Sequence, residues 1–402
     1  EHKVCSRFLD EYIKQCPDES LLRLFRAFSS HFEELSYDKF GSHAVENLIN
    51  EVIQRLDAGS NEEARFNELL ASLVTELTPS SPMLSENPSS THVIRCIINK
   101  LSQFQNLVSK IDKLSRAIIR SFLEDPSKVQ TIYFSATVQC IASLDPEKYK
   151  KLLNYLIAPV QCQFENLSDK INSKLIESLI INLGHPATTA VFQQTLGGDV
   201  KRAVDCAFDK FANYVLQRWL EYCRDPEQLI SVINQLLPKI EQLISRRPQV
   251  VVSISKGLIL TNHKLQDSFM KKLNEQTNGT NFVEYFSHFN PPNGTKLLQN
   301  LCYFNSKAIQ ATLIDSMVKM EGDKIYSISI DVGGSYFIND FLKSESIDIK
   351  LRKKIIRRIV KQMGQLAIDR NGRYVVESSF NLADIQLKKE ICSNIKETCQ
   401  GQ

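Results

Sequence analysis

Phe211-Ala212-Asn213-Tyr214-Val215-Leu216-Gln217 is the stretch that decides how this chain folds. In a helix, Asn213 and Gln217 lie about one turn apart on one face, with Tyr214 offset to the side. Val215 and Leu216, joined one turn later by Leu220, supply an apolar stripe for an interior. The stretch therefore predicts a helix that buries its third and fourth window residues and leaves the first and fifth on an exposed face. Two amides against a base edge and a ring beside it suit uracil. Helical repeats read single-stranded RNA in this way, one base at a time.

The same order recurs along the chain. Ser6-Arg7-Phe8-Leu9-Asp10 opens the series, followed by Ser42-His43-Ala44-Val45-Glu46, Thr91-His92-Val93-Ile94-Arg95, Ser135-Ala136-Thr137-Val138-Gln139 and Ser173-Lys174-Leu175-Ile176-Glu177. After the stretch at 213 come Thr295-Lys296-Leu297-Leu298-Gln299, Ser335-Tyr336-Phe337-Ile338-Asn339 and Arg373-Tyr374-Val375-Val376-Glu377, with Val250-Val251-Val252-Ser253-Ile254 as the apolar exception. The ten windows start at 6, 42, 91, 135, 173, 213, 250, 295, 335 and 373, which puts them 36 to 49 residues apart. Self-similarity at that period predicts an α-solenoid, whose repeats each bury a core only against their neighbours. A second amphipathic helix usually follows: Asp225-Pro226 reads as the cap and first turn of one, and Lys148 to Leu156 and Ile349 to Met363 have the same character. No run alternates with strand periodicity over the length of a sheet. The expected fold class is all-α, a curved solenoid of two to three helices per repeat.

Gly or Ala, then polar, flat, apolar, apolar, polar, at this spacing resembles the pumilio (PUF) RNA-binding repeat. Phe40-Gly41-Ser42-His43-Ala44-Val45-Glu46, the stretch at 211 to 217, and Gly333-Gly334-Ser335-Tyr336-Phe337-Ile338 carry the likeness, which extends from about Cys5 to the end of the chain. The number of windows, the uneven spacers and the mix of regular and degenerate repeats are most similar to the nucleolar pumilio-like proteins of small-ribosomal-subunit biogenesis. That resemblance implies one pumilio-like solenoid over residues 1–402, its first repeat truncated, binding RNA on a concave face as a monomer. It further implies a nuclear, nucleolar protein that holds precursor rRNA during small-subunit rRNA processing, shielding a cleavage site near the end of that rRNA, with pre-ribosomal proteins as further partners. A pumilio-type regulator of mRNA is the related alternative.

The expected RNA contacts are the first, second and fifth window residues: Ser6, Arg7, Asp10; Ser42, His43, Glu46; Thr91, His92, Arg95; Ser135, Gln139; Ser173, Lys174, Glu177; Asn213, Tyr214, Gln217; Thr295, Lys296, Gln299; Ser335, Tyr336, Asn339; Arg373, Tyr374, Glu377. Ser42 with Glu46 and Ser173 with Glu177 suit guanine, because a carboxylate accepts from the N–H groups on its pairing edge. Ser135 with Gln139 resembles the adenine-reading pair. The resemblance implies antiparallel docking, so with no base skipped the windows at 213, 173, 135, 91 and 42 spell 5′-U-G-A-N-G-3′. Val250, Val251 and Ile254 offer no side-chain hydrogen bonds, and Arg373 can pair with Glu377, so those two repeats are expected not to read a base.

Composition adds little. Lys plus Arg is 49 and Asp plus Glu is 46, so with a net charge of +3 distribution matters more than total. The densest basic run, Arg352, Lys353, Lys354, Arg357, Arg358 and Lys361, reads either as a phosphate contact or as a solvated helix face. Ten cysteines contain no C-x-x-C and sit mostly in apolar stretches, which points to reduced core thiols in a nuclear or cytosolic compartment. No apolar run reaches membrane-spanning length and no signal peptide is visible, so no membrane partner is expected and the triplets at Asn166, Asn278 and Asn293 read as incidental. Neither a P-loop nor a dinucleotide fingerprint is present, and no catalytic constellation is legible, so neither an enzyme nor a cofactor or metal is expected. The chain begins inside a repeat without an initiator Met, so upstream segments are expected to be missing.

Two stretches break the spacing. The gap between the second and third windows holds Asp57-Ala58-Gly59-Ser60-Asn61 and Thr78-Pro79-Ser80-Ser81-Pro82, which read as surface loops. Thr261 to Gly294, with turn signals at Asn278-Gly279 and Pro291-Pro292-Asn293-Gly294, reads as a distorted connection where an RNA path bends. The competing function is a HEAT- or armadillo-like protein-binding scaffold, since polar residues on an exposed helix face need no ligand. Recurrence of the triplet at one place in the repeat favours RNA.

Overall fold

The computed structural model describes residues 3–125, 128, 131–144, 163–198, 201–261 and 263–400. Lys148 to Leu156 and Cys162 lie outside the described residues. Among these residues every regular element is helical, and no helix is long and apolar enough to cross a membrane. The chain divides into two compact units, Glu1–Ala190 and Val191–Gln402.

In the first unit the windows lie on Lys3–Gln15, Gly41–Asp57, Ser90–Cys96, Ile132–Leu144 and Lys170–Leu183, and each of these helices packs against the next. In the second they lie on Ala212–Tyr222, Pro248–Leu258, Asn293–Leu301, Val332–Lys343 and Gly372–Leu382, again each on the next. A repeat is three helices, as in Gly322–Ile330, Val332–Lys343 and Ile349–Ile359. This is an α-solenoid, and the third and fourth window residues explain it. Ala44, Val45, Val93, Ile94, Val215, Leu216, Phe337 and Ile338 are all buried. Burying one Val, Leu, Ile or Phe side chain contributes roughly 1.5–3 kcal/mol, and here the surface that buries it belongs to an adjoining helix. Trp219 stacks on Phe192 with ring centroids 6.0 Å apart. At Gly333 the ninth window helix approaches the eighth so closely that a Cβ would stand 2.2 Å from Thr295 Oγ1.

Most of the extra residues between the second and third windows lengthen helices, which are joined by short turns. Gly41–Asp57 runs for 17 residues and Glu63–Leu77 for 15. Gly59, at φ +76°, ends the first of these, with Ser60 N donating to Arg55 O over 3.0 Å. Arg55 Nη1, 2.7 Å from Asp18 Oδ1, fastens that end to the preceding repeat, while its Nε lies 2.7 Å from Glu51 Oε1 in its own helix. Thr261 to Gly294 likewise holds the last helix of the seventh repeat, His263–Glu275, and the first of the eighth, Phe282–His288, joined by a turn in which Asn278 and Gly279 take φ of +49° and +83°. The turn signals at 57–61 and 78–82 mark short surface turns at 58–62 and 78–80, as expected, whereas Thr261 to Gly294 is helix, turn and helix instead of a distorted connection.

Candidate nucleic-acid interface

The phase of six of the ten window helices is set by an Asp or Asn four residues upstream. Asp38 Oδ1 accepts from the N–H groups of Phe40 and Gly41 at 2.9 and 2.7 Å. Asp209 does the same for Phe211 and Ala212 at 2.8 and 2.7 Å, and Asp369 for Asn371 and Gly372 at 2.8 and 2.7 Å. Asn87 and Asp169 repeat the arrangement, and Asp331 accepts from Gly334. Each satisfies orphan donors of a helix start. Sequence reasoning missed these caps, although an Asp or Asn four residues before the window was there to be read.

The triplet is rotated away from its expected exposure, in windows with and without such a cap. The first window residues Ser42, Thr91, Ser135, Ser173, Asn213, Thr295 and Ser335 are buried, not exposed. They fall in the first turn, where Ser42, Ser173, Thr295 and Ser335 donate their hydroxyls to the carbonyls of Lys39, Lys170, Pro292 and Val332. Asn213 Nδ2 donates to the carbonyls of Asp209 and Lys210 at 2.8 and 3.0 Å. Thr91 Oγ1 meets Thr137 Oγ1 of the next window helix at 3.1 Å. The outermost residue is instead the second. His43, His92, Lys174 and Lys296 are exposed, and Tyr214, Tyr336 and Tyr374 are 51%, 56% and 44% exposed. Ala136 is half-buried. The fifth residues Glu46, Arg95, Gln139, Glu177, Gln217, Gln299 and Asn339 are half-buried. At the first window Ser6 and Asp10 are half-buried and Arg7 is exposed, but Phe8 is exposed too and does not join the core.

Most fifth-position groups are held. Gln217 Nε2 donates to Asn213 Oδ1 at 2.9 Å, and Gln139 Nε2 to Ser135 Oγ at 3.2 Å. Gln299 Nε2 donates to Gly333 O at 3.3 Å, and Asp10 Oδ1 accepts from Asn47 Nδ2 at 2.8 Å. Arg95 Nη2 lies 2.9 Å from His92 Nδ1. In the tenth window the expected partnership of Arg373 with Glu377 is replaced: the guanidinium lies 4.9 Å over the Tyr374 ring and donates to Tyr374 Oη at 3.0 Å, while Glu377 stays exposed.

The seventh window is out of register by two residues. Val250, Val251 and Ile254 are buried in the core, and the buried, exposed, buried, buried, half-buried order falls on Pro248-Gln249-Val250-Val251-Val252. Neighbouring bonds agree. Ser253 Oγ donates to Glu221 Oε1 at 3.0 Å, linking a sixth residue, in the corrected count, to a ninth residue of the repeat before. Asn99 with Cys140 and Tyr303 with Asp340 make that same link. Gln249 is therefore the outermost residue of this repeat. Pro248, the first residue of the helix, marked the start.

Most of the basic run is occupied. Arg352 and Arg358 donate to the carbonyls of Leu342 and Met320, and Lys353 and Arg357 pair with Asp384. Among the described residues Lys354 and Lys361 alone of the six keep their charges free. Cys16, Cys96, Cys206, Cys223 and Cys302 are buried free thiols, and burial pushes Cys96 and Cys206 up to about 12. Cys140 is half-buried, and Cys392 and Cys399 are exposed.

The family model described as NOP9-like PUF repeat domain matches residues 1–157 and 158–398. This chain belongs to that family. Pumilio homolog 23 of Arabidopsis thaliana is 21% identical to this PUF chain over 98% of it and 62% of the relative. Nucleolar protein 9 of Homo sapiens is 22% identical over 58% and 42%, and that of Zygosaccharomyces rouxii 20% over 98% and 74%. The chain thus spans less than two thirds of the plant and human relatives. Among solved structures, "Structure of APUM23-deletion-of-insert-region-GGAAUUGACGG" is similar at a TM-score of 0.81 and 19% identity, covering 99% of this chain and 84% of that one. "Puf3 RNA binding domain bound to Cox17 RNA 3′ UTR recognition sequence site A" is similar at 0.52 and 15%, covering 94% and 92%.

Proposed function

We propose that this PUF chain binds single-stranded RNA through the second and fifth residues of successive windows, one base per repeat, with residues 1–402 as a single run of pumilio-like repeats. The first-position residues act from behind, as supports for the fifth. The observation that carries this is the return of one burial order in seven of the ten windows, with His43, His92, Lys174, Tyr214, Gln249, Lys296 and Tyr336 outermost. A protein-binding scaffold also repeats the same depths, since packing sets them, but does not require a flat, cationic or amide side chain to return at the outermost position. The ligand of the plant relative supports the register: GGAAUUGACGG contains U-G-A-C-G, an instance of the 5′-U-G-A-N-G-3′ spelled by the windows at 213, 173, 135, 91 and 42. Variants of that ligand differ only at its fourth base and keep the string. Relatives named Nucleolar protein 9 support a nucleolar role, and in this reading the ligand is precursor rRNA and the role is in small-subunit maturation, as a binding protein.

The test is a variant with Tyr214→Ala and Gln217→Ala, whose folding circular dichroism confirms, measured by mobility shift on GGAAUUGACGG at two salt concentrations. Loss of one stacked base alone is worth roughly 1–3 kcal/mol. In cells depleted of the native protein, binding and small-subunit rRNA processing should fail together. A folded variant that lost RNA binding yet fully restored processing would put a protein-binding scaffold in place of this reading.

A further inference from the structure

Each edge-reading amide has two faces, and something must decide which one a base meets. An Asn side chain offers an acceptor oxygen on one side and two N–H donors on the other, and half a turn about its last torsion exchanges them. In the sixth and fourth windows the decision is made inside the repeat, by Asn213 and Ser135. In the ninth window it is not. Ser335 has given its hydroxyl hydrogen to Val332 O, and Asn339 Oδ1 instead accepts from Ser378 Oγ, a buried hydroxyl on the next window helix.

Ser378 is the sixth residue counted from the start of its window, and the sixth residue recurs as a connector to the repeat before. Asn47, in the second window, donates to Asp10, the fifth residue of the first. Asn300, in the eighth, donates to the carbonyl of Val252, the fifth residue of the seventh in its corrected register, at 3.2 Å. Where the earlier repeat presents no polar fifth side chain, the connector falls back on its backbone.

We propose that Ser378 is the positioning residue for base selection by the ninth repeat: by engaging Asn339 Oδ1 it leaves the Nδ2 hydrogens to meet a base acceptor. The inference rests on the RNA-binding reading above. One repeat's base choice is then written partly in the following repeat, and re-coding the first, second and fifth residues alone does not move it cleanly.

The experiment measures binding of the full chain to GGAAUUGACGG and to every single-base variant of it. Asn339→Ala should flatten discrimination at one base. Ser378→Ala should flatten the same base by about fivefold to tenfold, within the range of one edge contact, and leave the other bases within about twofold of the unmodified chain. Ser378→Thr, which keeps the hydroxyl, should restore the preference. Ser378→Ala that weakens all variants equally, or flattens a different base from Asn339→Ala, overturns the proposal and leaves RNA binding standing. An unmodified chain that prefers none of these RNAs over a scrambled strand overturns both.

Discussion

Gln217 Nε2 donates to Asn213 Oδ1 across 2.9 Å, while Asn213 Nδ2 donates to the carbonyls of Asp209 and Lys210. On the proposed reading, the sixth window would meet a base with what this chain of bonds leaves over, which is Oε1 and the second Nε2 hydrogen of Gln217. An acceptor beside a donor matches the adjacent N–H and carbonyl of uracil.

Re-coding should follow. Asn213→Ser with Gln217→Glu reproduces the second and fifth windows, in which a serine hydroxyl donates three residues back. The carboxylate then accepts from two guanine donors, and preference at the sixth base of GGAAUUGACGG should move from U to G by roughly 1–3 kcal/mol. Competition binding with the two strands reads this out, and an unchanged preference removes the assignment. Asn213→Ala is the poorer probe, since it strips a buried amide from two helix-start carbonyls.

The seventh repeat separates the two registers. Gln249→Ala should weaken RNA binding with no change in thermal midpoint, because its side chain is exposed. Val250→Asn should cost roughly 2 kcal/mol or more by burying an amide without a partner. Thermal unfolding beside a binding titration decides, and a Val250→Asn protein of full stability would restore the original count.

Acid should loosen the first unit. The Gly41 and Phe40 N–H groups hold Asp38 below the usual carboxylate range, and the Ser60 hydroxyl followed by Arg55 does so for Asp18. A carboxylate whose folded value is depressed adds stability above its unfolded value, near pH 4, and loses it as pH falls through the folded one. Stability should drop below about pH 4, and Asp38→Asn should flatten part of that slope. Asp38→Ala should cost about 1 kcal/mol at neutral pH as a lost cap. Denaturant titrations at stepped pH test the sign.

Thiol chemistry should split by depth. Cys392 and Cys399 should react with an aromatic disulfide reagent within minutes in the folded chain, and Cys96, Cys206 and Cys302 only on unfolding, since burial pushes their thiols up and closes access. Mass mapping of labelled peptides gives the order. Early labelling of Cys302 would contradict the packing of the eighth repeat.

The repeat period, the all-helical class and the inward third and fourth residues were legible because apolar spacing reports a helix's buried stripe directly. Rotation within that stripe was not. One residue turns a helix by about 100°, so a triplet assigned without its cap can exchange a buried position for an exposed one, as at Ser42 and His43. At Val250-Val251-Val252 three equivalent residues gave the same apolar signal in two phases. The turn signals at Gly59 and Asn278 said where helices stop and not how long they were. Bonds such as Ser378 to Asn339 or Asn47 to Asp10 join residues 39 and 37 apart, and no local pattern announces them.

Window helices packed one on the next impose a mechanical condition on any strand they share. Neighbouring helix axes stand about 8–10 Å apart, whereas successive bases in a stacked strand advance about 3.4 Å. A strand threaded at one base per helix is drawn to more than twice its relaxed pitch, and its bases part. Tyr214, Tyr336 and Tyr374 then stand where a neighbouring base would have been, like the teeth of a comb. If the chain binds RNA as proposed, hairpins and purine-rich stacks would have to come undone to enter, and the array would sort RNA by how readily it stretches before any edge is read.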